Sequence, residues 1–304
     1  MEFLKTVWKA FCKARLPAKI SVIVICAYIT VAVLAPVLAP FGQTEVVGDV
    51  WEVAFWTNDC SEEGIQNYQC WDEINAERER KLWLGADHLG RDLLTRLLYG
   101  ATNTISIALI TTVLSFTMGI TLGFLAATVG GHLDQLVSRG VDIVMAFPTL
   151  IFALIILSVM GTSTVVLIFT IAVLDATRVF RLSRAVAMDV EVTEYVEVAR
   201  LRGEGLWWLM RHEILPNTMA PLAAEFGLRF CFVFLFIASL SFLGLGIQPP
   251  LADWGGMVRE NAGAITFGIY TPLLPAIAIA VLTIAVNLIV DWFLHKTAGL
   301  RDEH

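Results

Sequence analysis

Few residues in this chain could do chemistry, and they fall into a small number of places. Asp87, His88 and Asp92 share the run Leu84-Gly85-Ala86-Asp87-His88-Leu89-Gly90-Arg91-Asp92. One imidazole with two nearby carboxylates is a poor set for a transition metal, which prefers several imidazole or thiolate ligands. A polar turn in which Arg91 and Asp92 bridge neighbouring segments suits these residues better, and no metal is expected. A second polar run reaches from Thr193 to Asn217 and contains Glu197, Ala199, Gly203, Leu215 and Pro216. The phosphate-cradling pattern Gly-x-x-x-x-Gly-Lys-Ser/Thr does not occur.

Charges in or near apolar stretches are few: Asp142, Asp175, Arg178, Glu225, Arg229 and Asp291. Charges in such settings default to functional hypotheses. Here the spacing offers a structural answer, since Asp175/Arg178 and Glu225/Arg229 can each share a helix face. No unpaired acid stands out near the middle of a stretch, which argues against a proton-coupled antiporter. Cys12, Cys26 and Cys231 lie in or near apolar segments and read as small hydrophobes. Cys60 and Cys70 share a polar loop.

The elements that must position these residues are membrane spans. Hydrophobic residues make up 57% of the chain and charged residues 16%, and the mean hydropathy is +0.72. Soluble domains run at about 45–50% apolar and roughly 25% charged. Such a chain is polytopic. Six apolar runs are long enough to span, at 20–39, 103–129, 141–161, 163–181, 219–246 and 272–294. Each must be helical, because lipid leaves no partner for an open backbone. The first follows Lys5, Lys9, Lys13, Arg15 and Lys19 and is longer than a signal-peptide core, so it reads as a retained anchor.

Lys and Arg gather in the N-terminal tail, the 182–218 loop and the C-terminus. The acids gather in the 40–102 loop. The positive-inside rule places both termini in the cytoplasm and residues 40–102 outside. The domain plan is then a tail and first span (1–39), a periplasmic loop (40–102), a five-helix core (103–294) holding the cytoplasmic loop 182–218, and a tail (295–304). No basic stretch is dense enough for nucleic acid. The net charge of −7 mostly reflects the acidic loop. Its Trp51, Trp56, Trp71 and Trp83 read as an interfacial belt, with a partner's surface as the alternative.

Within the polar run, residues 193–202 predict a short helix, interrupted by Gly203 and Gly205. A second short helix from about Leu206 to His212 is expected to end before Pro216. Two short helices joined at glycine make a knob for a partner's groove. The competing reading is an amphipathic interfacial loop anchored by Trp207 and Trp208.

The spacing Glu197-x-Ala199, three residues, Gly203, then Leu215-Pro216 resembles the "EAA" loop of ABC-importer permeases. Val198 stands where that family usually has Ala, and Glu213 where it has an aliphatic residue. The run from Leu84 to Ala101, Asp142 to Pro148, Arg211 to Asn217, Ser239 to Gly246, and Pro249-Pro250 with Trp254-Gly255 are similar to the oligopeptide/dipeptide/nickel class. The resemblance covers nearly all residues beyond about 80, plus the first helix.

The resemblance implies an all-α type I importer permease of six transmembrane helices, the last five forming the core and the first wrapping outside. It implies an inner-membrane subunit without catalysis of its own. Its partners would be a homologous second permease, two ATP-binding subunits carrying ATP and Mg, and a periplasmic binding protein. Glu197, Ala199, Gly203, Leu215 and Pro216 would couple to the ATPase, and Gly90, Arg91 and Asp92 would belong to the outer mouth. Cys60 and Cys70 would face an oxidising compartment, where a disulfide is expected. The expected cargo is di- or oligopeptides, with nickel chelates, opines, glutathione or short sugars as alternatives. An ion-coupled transporter working alone is the reading from another class.

Overall fold

A computed structural model describes residues 16–52, 54 and 82–297. The Cys60–Cys70 pairing, Trp56, Trp71 and the N-terminal basic cluster up to Arg15 lie outside them. The described residues are helical, with no strand beyond the isolated bridges Val46–Arg91 and Ala86–Asp92.

The helices are α1 (Leu16–Leu38), α2 (Leu93–Val129), α3 (Gly131–Met145), α4 (Thr149–Met160), α5 (Thr164–Glu191) and α6 (Glu194–Leu201). They continue as α7 (Leu206–Phe242), α8 (Trp254–Glu260) and α9 (Leu273–Thr297), with a 3-10 turn at Ala262–Phe267. Four of them, α1, α2, α7 and α9, are long and apolar enough to cross a bilayer. α5 has the length, at 28 residues, but carries Asp175, Arg178, Arg181 and Arg184.

The third predicted span, 141–161, is not one helix. α3 and α4 meet at a bend of 87°. Pro148 sits at the break and cannot donate to the ladder. α4 alone has 12 residues, about 18 Å of rise, against a hydrocarbon core of about 30 Å. α3 carries Asp134, Arg139 and Asp142 among its apolar residues, and none of its side chains is buried. A hydropathy window reads through this bend because the residues on both sides of it are apolar.

Contacts divide the chain into two units. One holds residues up to Ile25, Ile107–Phe236 and Thr283 onward; the other holds Cys26–Ser106 and Ile237–Leu282. In the first, Phe124 and Ala127 of α2, Ala187 of α5, and Met210, Ile214 and Leu222 of α7 form a buried cluster. In the second, Trp254 is 2% exposed. Its indole N–H donates to the Leu97 carbonyl at 3.0 Å, and Tyr28 packs edge-on with ring centroids 5.8 Å apart.

Candidate functional site

The run from Thr193 to Asn217 folds as the sequence predicts in its first half. α6 begins after Thr193 and ends at Leu201. Its stop has a specific geometry. Gly203 takes φ +83°, its N–H donates to the Arg200 carbonyl at 2.9 Å, and the Glu204 N–H donates to the Ala199 carbonyl at 3.3 Å. This paired closure is the Schellman arrangement, with Gly203 at the left-handed position that glycine takes without steric cost. The Ala199–Gly203 spacing therefore has a physical content: one residue supplies the last-turn carbonyl and the other reverses the chain.

Ala199 also faces inward. With Val196 and Leu209 it forms a small buried cluster, against which Val190 and Trp208 pack. Glu197 points away, is exposed, and makes no ion pair among the described residues. Around it Val192, Tyr195, Val198, Leu201, Leu206 and Trp207 are exposed, Leu201 by 81%. The two tryptophans part company. Trp207 is exposed, whereas Trp208 stacks on His212 with centroids 4.9 Å apart and receives the Arg202 guanidinium over its ring.

The second half departs from expectation. No short helix ends before Pro216. The backbone passes from Leu206–Trp208 through a π-helical segment, Leu209–Ile214, and continues as α-helix to Phe242. The Leu215 N–H reaches back five residues to the Met210 carbonyl. A wider turn of this kind accommodates a proline ring that would otherwise clash with the preceding turn. Asn217 Nδ2 donates to the Glu213 carbonyl at 2.6 Å, and Thr218 Oγ1 to the Ile214 carbonyl at 3.0 Å. Leu215 packs on the Phe124–Ala187–Ile214 cluster, and Pro216 is exposed.

Arg200 fixes this knob to the longer helices. Its Nη2 donates to the Thr128 carbonyl in the last turn of α2 at 3.1 Å and to Glu191 at the end of α5 at 2.6 Å. A positive side chain at a helix C-terminus is favoured by the helix dipole. α6 is thus tied to α2, α5 and α7 together. Nothing in the sequence pattern separated Arg200 from its neighbour Arg202.

The second polar run is a buried ion cluster. The Asp87 carboxylate, 0% exposed, accepts the Arg91 Nε at 2.8 Å and the Arg96 Nη1 at 2.5 Å. It also caps the turn through the N–H groups of Leu89 and Arg91. Both guanidiniums reach Glu260 of α8, at 3.2 and 3.0 Å. Asn261 accepts the His88 N–H at 3.0 Å and the Trp51 indole N–H at 3.3 Å. Gly90, at φ +75°, lets the turn lie against the Gly48 carbonyl, where any Cβ would collide. Its own carbonyl accepts the Val47 and Gly48 N–H groups.

Arg91 bridges segments as predicted. Asp92 does not. Its Oδ2 accepts the Thr95 N–H at 2.7 Å, capping the first turn of α2. Burial pushes the Asp92 carboxyl above the usual carboxylate range, against the hydrogen bonds from Thr95 and Leu94. Asp87, His88 and Glu260 place potential ligand atoms within 4.8 Å of one another. Both carboxylates there are already matched by arginines, which leaves a cation little negative charge to bind. Sequence does not single out Arg96, Glu260 or Asn261; the Leu84–Ala101 run holds the first, and the Trp254-Gly255 pattern points to the segment of the other two.

The predicted Asp175–Arg178 pair is not formed. Asp175 accepts Ser115 Oγ at 2.9 Å and faces Arg229 Nη1 at 3.7 Å. Glu225 and Arg229 do pair, at 2.5 Å.

Long apolar helices with a Schellman-closed knob between them define a multi-pass membrane protein. The chain belongs to the family of binding-protein-dependent transport system inner membrane components, which matches residues 119–296. The dipeptide transport system permease protein DppC of Haemophilus influenzae is 30% identical, over 98% of this chain and 93% of that one. The di/tripeptide transport system permease protein DppC of Pseudomonas aeruginosa is 37% identical, over 74% of this chain and 72% of that one. The glutathione transport system permease protein GsiD of Pectobacterium atrosepticum is 30% identical over 82% and 81%. A crystal structure of an amino acid ABC transporter with histidines shares the fold at a TM-score of 0.51 and 17% identity, covering 67% of this chain and 94% of that one. The chain is therefore an inner-membrane component of a binding-protein-dependent importer.

Proposed function

We propose that this chain is the permease subunit of an importer for short peptides. It forms the pathway with a second, homologous permease. Two ATP-binding subunits seat on the 193–217 knobs, and a periplasmic binding protein delivers cargo to the side carrying Asp87 and Glu260. ATP and Mg belong to the ATP-binding subunits. The cargo rests on the relatives named for dipeptides, di/tripeptides and glutathione, itself a tripeptide.

The observation that carries the coupling role is the exposed Glu197, without an ion pair among the described residues, set among exposed apolar side chains on a helix whose other face is buried and pinned by Arg200. An exposed apolar patch of this kind is a docking surface by default. The knob must bind two states of the ATPase with different free energy, because otherwise it transmits nothing.

The test is peptide uptake by cells carrying the whole complex, with co-purification of the tagged chain from its native membrane. Glu197→Arg and Gly203→Pro should abolish uptake while the chain still inserts. Normal uptake in both variants, or a chain that purifies alone and imports without ATP, overturns the reading.

A further inference from the structure

One cavity in the helical part of the chain has no role so far. It has a volume of about 290 Å³ and lies between the start of α4, the middle of α5 and α7. Thr149, Asp175 and Arg178 supply its polar wall, and Leu174, Phe232 and Phe236 much of its apolar wall. Phe232 is 57% exposed, so the cavity opens at the surface of the chain. Ligand sites are of this kind: largely apolar, with a few convergent polar groups, and upward of about 300 Å³.

The charges around it are unevenly satisfied. Arg229 pairs with Glu225 through Nε and faces Asp175 at 3.7 Å, its Nη1 buried without a hydrogen-bond partner among the described residues. Arg178 has no carboxylate within salt-bridge distance among the described residues. It donates from Nη2 to Thr149 Oγ1 at 3.2 Å and lies 5.5 Å from the Phe232 ring centre. A guanidinium has five N–H donors in a planar fork that matches a carboxylate. A guanidinium without a carboxylate at salt-bridge distance, on a long helix of a membrane protein, is a functional-site hypothesis by default. Asp175 stands one helical turn away on the same helix. With Glu225 and Arg229 the four charges sum to zero, which favours a ligand of no net charge that carries both signs.

We infer that this cavity is a transit site for the zwitterionic ends of a short peptide, the α-carboxylate on Arg178 and the α-ammonium beside Asp175. The termini of an extended dipeptide lie about 6 Å apart. The Cβ atoms of residues three apart on a helix are separated by about 5–6 Å. A peptide side chain then packs on Phe232 and Phe236. The inference rests on the peptide reading above for its cargo, but not for its carboxylate chemistry.

The experiment measures binding of radiolabelled Ala-Phe to the purified permease–ATPase complex in nanodiscs, without the binding protein. Wild type should bind the free dipeptide saturably and its C-terminal amide at least tenfold more weakly. Arg178→Gln should weaken the free dipeptide at least tenfold and leave the amide unchanged, with Arg178→Lys between. If the Gln variant fails to assemble, the wild-type discrimination and the Lys variant decide. Equal binding of acid and amide, or wild-type affinity in both variants, overturns the site. Binding that follows the anionic lipid content of the nanodisc assigns Arg178 to a lipid headgroup and also overturns it. Uptake of Ala-Phe into vesicles with the binding protein tests the cargo separately. No uptake, with hexanoate still bound in an Arg178-dependent way, removes the peptide and keeps the carboxylate site. Uptake without any binding in the nanodisc keeps the cargo and removes the site.

Discussion

The Asp87 cluster and the 193–217 knob are built from the same residue types, and burial sends them to opposite ends. In the cluster every charge has its counter-charge inside the chain, Asp87 and Arg96 being almost wholly buried. In the knob Glu197 is exposed and makes no ion pair among the described residues, and the apolar residues beside it face outward. A closed ion cluster fixes the geometry of its own segments. The knob instead leaves its acid and its apolar side chains on the outside. The family match sharpens the contrast, since it covers the knob but begins after the Asp87–Arg96 half of the cluster.

The largest effect should come from opening the closed region. Asp87→Ala leaves Arg91 and Arg96 with Glu260 as their only acid among the described residues. Removing one partner from a buried ion pair costs about 3–5 kcal/mol. The thermal midpoint of the purified chain should fall by many degrees, and its amount in the membrane should drop. A midpoint within a degree of wild type would mean that the cluster is not a structural lock.

Closing off the open region should do the reverse, sparing stability and harming transport. Arg200→Gln removes the tie from α6 to Thr128 and Glu191. Arg200 is 41% exposed, so little stability is lost. Coupling between sites runs at 1–3 kcal/mol, so uptake should fall about tenfold or more while ATP hydrolysis persists. Uptake and hydrolysis falling together would show that Arg200 only holds the fold.

How far each region could be read from sequence follows from the range of its contacts. The Ala199–Gly203 closure is local, with every partner inside a few residues, and the spacing alone reports it. The 87–92 turn was legible for the same reason. Glu260 and Asn261 were not, because they arrive from a distant segment and carry no periodic mark. The two misread prolines differ in kind. Pro216 is absorbed by a π turn, which local rules do not anticipate, whereas Pro148 breaks a run whose hydropathy is uniform. The Asp175–Arg178 pair failed because i,i+3 spacing permits a contact but does not choose it over Ser115 and Arg229 on neighbouring helices.

Asp92 offers a finer comparison within the closed region. Its carboxyl is raised by burial, so the folded chain holds the proton more tightly than the unfolded one. Stability from this group is therefore greatest at low pH and declines as pH rises from the unfolded value, about 3.9, through the folded one. At neutral pH the charge is a burden and the cap a benefit. Asp92→Asn keeps an oxygen for the Thr95 N–H and sheds the charge, so it should be neutral or stabilising. Asp92→Ala should lose about 1 kcal/mol. Urea titration at pH 7 ranks the two; an Asn variant less stable than Ala would refute the capping role.

The smallest effect belongs to Asp134 and Arg184, the pair that ties α3 to α5. Arg184 Nε and Nη2 meet the two Asp134 oxygens at 2.5 and 2.6 Å, a bidentate fork. Hydrogen bonds from Arg184 hold the Asp134 carboxyl below the usual carboxylate range. A depressed acid adds stability that is present above its unfolded value, about 3.9, and is lost as pH falls through the folded one. The side chains are 19% and 30% exposed, so solvent screening keeps the contribution under about 1 kcal/mol. Asp134→Asn should therefore lower stability slightly at pH 7 and not at all once the pH has fallen below the folded-state value. A deficit that persists at low pH would place its origin in packing of α3, and a deficit well above 1 kcal/mol would make α3 part of the closed, structural half of the molecule rather than a loosely tied helix beside the knob.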